Sequence, residues 1–401
     1  MYWHGRDNAE KIKYFIKDSI ENWGIKYVLL VGGIKGQSSS WFIPVRYSHV
    51  IPWDDQEYAE PSFISDLYYA DIYDSEGNFS SWDSNHDNIF SEWNESYKEK
   101  MDLYPDVYLG RLACRSSMEI KTMVRKIINY EKNKCDDSWF KRLVLAGGDT
   151  FNDISGHNYL EGELANQRVA EILSDFEAER IWWSEGNVNQ KNMLAAIGKG
   201  CGFVHLSGHG SPAVWFVKDF IKDPHGKYIW ALDVYHFSKL QNGEKLPIVI
   251  IGGCHNSMFN TSLYKSTKEV IMTIIIKYIL GNPYQTWYWI PAPESMGWWF
   301  VKQEGGGAIA TFGCTGLGLG TVGDNNRDGI PDCLQFLLTW LELRFFEVYA
   351  NGTHILGETW GNAIDDYINA FLVEAKKSGD IKTVQEWVLL GDPSLKIGGY
   401  Q

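Results

Sequence analysis

Short apolar runs closed by glycine or a polar break, with amphipathic stretches between them, set the rhythm of this chain. The runs fall at residues 27–33, 106–111, 142–148, 180–183, 203–208, 246–253 and 307–313. Runs of this length read as strands buried on both faces, as in a parallel sheet. Apolar residues recur at helical spacing over 8–22, 117–133, 163–174 and 190–197. Strands alternating with helices predict an α/β protein with mostly parallel, doubly wound sheets flanked by helices. The opening motif of strand, Gly-Gly and long polar loop occurs twice, from 27 and from 142. Two related subdomains are therefore expected, 1–135 and 136–401, since 401 residues exceed what one core usually supports. The first opens on a helix with no strand before it, which reads as a shortened start.

Two of the runs deliver reactive side chains. Phe203-Val204-His205-Leu206-Ser207-Gly208-His209-Gly210-Ser211 ends in His209, and Leu246-Pro247-Ile248-Val249-Ile250-Ile251-Gly252-Gly253-Cys254 ends in Cys254. In open α/β sheets, chemistry gathers beyond the carboxyl ends of the strands. The order His then Cys is that of the caspase-type arrangement. Glycines on either side let a substrate backbone approach and leave N–H groups free to face an oxyanion. Taken singly, each residue has a bland reading, a satisfied polar group and a small buried hydrophobe. Together, in matching contexts, they read as a thiol nucleophile and its base.

Charge and composition narrow the partners. A net charge of −14 argues against nucleic acid and against an anionic membrane surface, and suits cations such as calcium. The 18 Trp, 22 Tyr and 19 Phe supply large side chains for cores and for stacking on peptides or sugars. No stretch reaches the roughly 18 apolar residues of a spanning helix, and the run at 270–276 is cut by Lys277. The opening residues 1–7 carry no signal-peptide apolar segment. Six cysteines form no Cys-x-x-Cys pair, which argues against zinc. With Cys254 kept free, at most two disulfides fit.

Two loops carry a calcium pattern. Asp324, Asn326, Asp328 and Asp332 place oxygens at positions 1, 3, 5 and 9, with Gly329 at the tight turn and the Ile330 carbonyl at position 7. Position 12 is Gln335 instead of the bidentate Glu. Asp83, Asn85 and Asp87 repeat the start, with Asn88 in place of the glycine. The alternative is a metal-free Asx turn. A structural Ca²⁺ is the expected cofactor, and no organic cofactor is expected.

The chain resembles the gingipain-type cysteine peptidases of family C25. The matching pieces are 27–32, Tyr108-Leu109-Gly110-Arg111, Lys126-Ile127-Ile128-Asn129-Tyr130-Glu131 and 207–211 with Trp215. Cys254 with Phe259, Glu294 ahead of 306–310, and Leu390-Gly391-Asp392-Pro393-Ser394-Leu395 complete the series. The resemblance implies a caspase-like tandem α/β fold, endopeptidase action on protein or peptide substrates, and an extracellular or cell-surface location within a larger precursor. It further implies Cys254 as nucleophile, His209 as base, and the N–H groups of Gly210 and Cys254 as oxyanion donors. Asp149 stands where the family has a supporting Glu, and Trp215 is expected beside the substrate. In arginine-cutting members a carboxylate from the segment after the first catalytic strand fills the specificity pocket. Glu161 or Glu163 is the counterpart here, although both also suit the first turn of a helix. His255-Asn256-Ser257 after the nucleophile, and a long aromatic 260–293 segment, depart from the family pattern. A transpeptidase with the same acyl-enzyme, and an inactive calcium-stiffened interaction module, are the competing readings.

Overall fold

Each apolar run expected to be a strand forms one in the computed structural model, which describes residues 4–51, 60–94, 96–132, 134–152, 158–282, 286–373 and 377–400. His157, at the head of the segment carrying Glu161, lies outside the described residues. The strands are β1 Tyr27–Val31, β2 Tyr47–Ser48, β3 Phe63–Ile64, β4 Tyr108–Leu112, β5 Arg142–Gly147, β6 Glu177–Trp182 and β7 Phe203–Ser207. They continue with β8 His209–Gly210, β9 Val214–Val217, β10 Ile229–Asp233, β11 Ile248–Ile251, β12 Ala310–Cys314 and β13 Trp387–Leu390.

Eight strands form one sheet in the order β1-β4-β13-β12-β11-β7-β5-β6. From β12 to β6 every pairing is parallel, and β1, β4 and β13 are parallel to one another. The two sets run in opposite directions and meet where β12 and β13 pair antiparallel. The C-terminal strand thus joins the set begun by the first 135 residues, with Leu390 beside Arg111. Helices flank the sheet, giving the mixed α/β architecture read from the sequence.

Alternate residues of the central strands feed opposite faces, because side chains in a strand alternate. Leu143, Leu145, Phe203, Ile248 and Ile250 enter one core, and Val144, Ala146, Val204, Val249 and Ile251 the other. Burial on both faces is why these runs are continuously apolar. Local chemistry ends the elements. The helix Asn8–Trp23 starts where the Asp7 carboxylate accepts the Glu10 N–H and stops at Gly24, whose φ is 63°. A three-stranded sheet, β10-β9-β8, folds over the carboxyl end of β7 and carries His209. The helix Leu263–Thr273 runs on into a π-turn, Ile274–Ile279. Among the described residues no helix is long and apolar enough to cross a membrane. All six cysteines are free thiols.

Candidate active site

β7 and β11 are neighbours in register, from Phe203 beside Ile248 to Leu206 beside Ile251. Their carboxyl ends therefore open side by side. Gly253 has φ of 139°, and a Cβ there would stand 2.7 Å from the Gly210 nitrogen. A Cβ on Gly210 would stand 2.7 Å from the Cys254 oxygen. The two turns are pressed so closely that only glycine fits at either position. His209 and Cys254 line one cavity of about 580 Å³ beyond these strand ends.

The imidazole is fixed from behind. His209 Nε2 lies 2.7 Å from the Thr150 carbonyl oxygen. A carbonyl only accepts, so Nε2 carries the proton and Nδ1 is left as the acceptor. Phe216 stacks on the ring at 5.3 Å and Phe151 meets it edge-on at 5.9 Å. Burial, then the Lys218 ammonium, push the imidazole down to about 4, against the opposing pull of the carbonyl. His209 is thus neutral near pH 7.

The expectation that Asp149 supports His209 is corrected. The Asp149 carboxylate accepts the Phe220 N–H at 2.7 Å, and its backbone pairs with Lys218. Burial raises it to about 6. The support comes one residue later, from the Thr150 main chain. Thr150 is itself braced, since its N–H and that of Phe151 donate to Glu161 Oε2 at 3.1 and 3.4 Å.

The thiol is also neutral at rest. Burial, then the Glu386 carboxylate, push Cys254 up to about 12, and Sγ donates to the Gly318 carbonyl at 3.7 Å. Among the described residues nothing accepts the Cys254 N–H. His255, next in the chain, has φ of 55° and donates to the Gly316 carbonyl through its backbone at 2.8 Å. Its Nε2 donates to Glu60 Oε1 at 2.8 Å, and its ring stacks on Trp287 at 4.5 Å. Glu60 Oε2 accepts Lys382 Nζ and the Leu317 N–H, each at 2.8 Å. One carboxylate from the first 135 residues thus holds the residue after Cys254 and the wall opposite it.

The other expected contacts divide. Glu161 lines the cavity, its Oε1 is buried without a partner among the described residues, and burial raises it to about 7. Glu163 does not line it: its carboxylate takes the Ser184 N–H at 2.8 Å and hydroxyl at 2.6 Å. Two residues apart in the first turn of the helix Glu161–Ile172, the two glutamates are rotated by roughly 200° and point in different directions. Trp215, expected at the substrate, is fully buried and donates to the Gly252 carbonyl at 3.0 Å. It supports the strand end that leads to Cys254. Phe216, its neighbour on the other face of β9, lines the cleft instead.

The calcium-type loops share one conformation. Asp324 accepts from the N–H groups of Asp328 and Gly329, as Asp83 does from Asp87 and Asn88. Arg327 and His86 both have positive φ, 59° and 63°. The surroundings differ. Arg6 pairs with Asp83, placing a guanidinium on the first oxygen of that loop, so it does not suit a second cation. In the other loop Asp332 is 3% exposed with Oδ1 unpartnered, and the set Asp324, Asn326, Asp328, Ile330 carbonyl and Asp332 has the hard-oxygen chemistry of a calcium site. Gln335 Nε2 now bonds Asp328 Oδ1 and the Ile330 carbonyl, at 3.1 and 3.0 Å. Among the described residues no three His, Cys, Asp or Glu side chains converge as ready-made ligands.

Thr150, Glu60, His255 and Lys218 escaped the sequence reading. A backbone acceptor leaves no side-chain signal. Glu60 acts on residues far along the chain. For Lys218 a signal existed, because it stands two residues beyond Phe216, just past a strand paired with the His209 segment.

Residues 2–398 match the model of peptidase family C25. Gingipain R2 and gingipain R1 of Porphyromonas gingivalis are each 24% identical to this chain over 297 residues, 70% of its length. The chain spans 32% and 24% of those two relatives, about a third of their length or less. Among solved structures, the Arg-specific cysteine proteinase gingipain R matches 98% of this chain and 70% of its own, with a TM-score of 0.62 at 17% identity. A complex of RgpB pro- and mature domains from Porphyromonas gingivalis matches 97% and 70%, with a TM-score of 0.59 at 18% identity. At such identities the structural likeness is one of fold.

Proposed function

The chain belongs to peptidase family C25, and from that membership we propose that it is a cysteine endopeptidase with Cys254 as nucleophile and His209 as base. The observation that carries the reading is the shared cavity at the carboxyl ends of β7 and β11, lined by a thiol and a neutral imidazole. As Sγ attacks the substrate carbonyl, its proton passes to His209 Nδ1. The oxyanion forms beside the N–H groups of Cys254 and Gly210. Collapse breaks the C–N bond, the imidazolium protonates the leaving amine, and a thioacyl-enzyme remains for water to hydrolyse. The Thr150 carbonyl orients the ring and stabilises the imidazolium, a task that elsewhere falls to a carboxylate. We further propose that the cleft receives a basic side chain against Glu161, whose free, buried Oε1 suits a guanidinium or ammonium. A structural Ca²⁺ at Asp324–Asp332 would hold the segment behind this cleft, and action outside the cell on protein substrates completes the reading. Digesting a proteome-derived peptide library and sequencing the new termini tests it. New termini absent with and without calcium would reject it, and adducts with added hydroxylamine in place of free acids would favour transpeptidation.

A further inference from the structure

The cleft holds one cation that the chemistry above does not use. Lys218 follows β9, where His209 pairs with Phe216 and Gly210 with Trp215. Residues two apart on a strand share a face, so Lys218 emerges on the side of Phe216, whose ring stacks on the catalytic imidazole. Its Nζ lies 5.1 Å from the Phe220 ring centre and 5.4 Å from that of Tyr228. Phe216, Tyr228 and Trp289 pack together at 4.8 to 5.3 Å and make an aromatic wall around it. Among the described residues Lys218 is the only Lys or Arg lining the cavity, and no carboxylate forms an ion pair with it. Asp149, joined to it through the backbone, has its carboxylate on the Phe220 amide.

We propose that Lys218 is a specificity residue that receives an acidic side chain of the substrate beside the bond being cut. A half-buried ammonium with no direct ion pair among the described residues, and only the amide-bound Asp149 carboxylate acting on it at longer range, is left short of the solvation it had in water. A carboxylate entering the cleft restores that loss through a charge-assisted pair, while the isosteric amide does not. Burial lowers Lys218, against the opposing pull of Cys254 once that thiol ionises and of the Asp149 carboxylate. Glu161 occupies another wall, so the cleft offers one receptor of each sign. The inference deepens the peptidase reading and rests on it for the identity of the ligand.

Alkylation of Cys254 tests it without any peptidase turnover. Iodoacetate and iodoacetamide react alike, the sulfur forming a bond to the methylene carbon as iodide leaves, but only the first carries a carboxylate. Rates are read at Cys254 by mass mapping and divided by those of glutathione. The expected iodoacetate-to-iodoacetamide ratio exceeds that of glutathione at least about fivefold, the size of a solvent-touched ion pair. It falls to that of glutathione in Lys218→Met and survives in Lys218→Arg. An unchanged ratio in Lys218→Met, equal slowing by both reagents, or a Cys254 that neither reagent modifies would overturn it. Amidated peptide pairs differing by Asp or Asn beside the scissile bond give the matching cleavage readout. A protein that shows the alkylation ratio but cuts nothing keeps the carboxylate site and loses the peptidase assignment.

Discussion

Glu60 Oε1 and His255 Nε2 stand 2.8 Å apart, joining the first 135 residues to the residue that follows Cys254. Burial lowers His255, so the imidazole is a neutral donor, and Lys382 supplies the countercharge. Burial alone would raise Glu60, but Lys382 and His255 outweigh it and bring the carboxyl down to about 2. Its stabilisation is therefore present above the unfolded value of about 4.3 and is lost as pH falls toward 2. Glu60→Ala, which leaves His255 Nε2 unpaired and Lys382 with Glu386 alone, should cost about 3–5 kcal/mol. Urea midpoints of wild type and Glu60→Gln should differ at pH 6 and converge as pH falls toward 2. A gap that stays constant would contradict the ion pair.

The base should work at unusually low pH. Because burial and Lys218 depress His209 to about 4, protonation removes the base only below that value. The acid limb of kcat/KM should fall near pH 4, below the ordinary histidine value of about 6.5. His209→Ala should lower kcat by about 10²–10⁴-fold. Asp149→Asn should leave the acid limb in place, since its carboxylate does not touch the ring. A large kcat loss in Asp149→Asn alone would restore the role first expected of it.

Glu161 braces Thr150 and is proposed to receive a basic substrate side chain, and one variant separates the two. Glu161→Gln keeps an oxygen for the Thr150 and Phe151 N–H groups, so His209 stays braced. The charge facing a basic substrate side chain is lost. Side-by-side turnover of Arg, Lys, Leu and Asp reporter peptides should show the basic preference collapsing with kcat for the Leu peptide retained. Equal preference in both proteins would remove Glu161 from substrate recognition.

Chelation should lower the melting temperature through the 324 loop. A metal bound only to the folded state stabilises by about 2.7 kcal/mol at a hundredfold excess over Kd. Asp324→Ala and Asp332→Ala should abolish the EDTA effect. Asp83→Ala should leave it intact, because Arg6 already occupies that loop. A melting temperature unmoved by exhaustive EDTA would leave both loops as metal-free turns.

What was legible in the sequence followed from main-chain order. Apolar runs such as 203–208 and 246–253 declare buried strands, and adjacency in a parallel sheet then brings their ends, His209 and Cys254, to one cavity. β13 was missed because Trp387 follows the helix Ser378–Glu386 with no turn residue between them. The support of His209 was misplaced by one residue because a carboxylate is visible in a sequence and a carbonyl is not. Trp215 was placed at the substrate from its position beside the catalytic segment. Strand alternation, applied from His209 across the hairpin, would have put Phe216 and Lys218 there instead. The charge network of Glu60, His255, Lys382 and Glu386 depends on contacts between distant segments, which no local pattern encodes.

The account rests on Cys254 acting with His209, and cleavage by the Cys254→Ala protein tests that most directly. Wild type, Cys254→Ala and His209→Ala, matched for folded protein by circular dichroism, are incubated with the same peptide library and their new termini counted. The account predicts termini from wild type only, with neither variant above the protein-free background, because residues acting as one unit fail together. Termini released by Cys254→Ala at the wild-type positions and rate would contradict it.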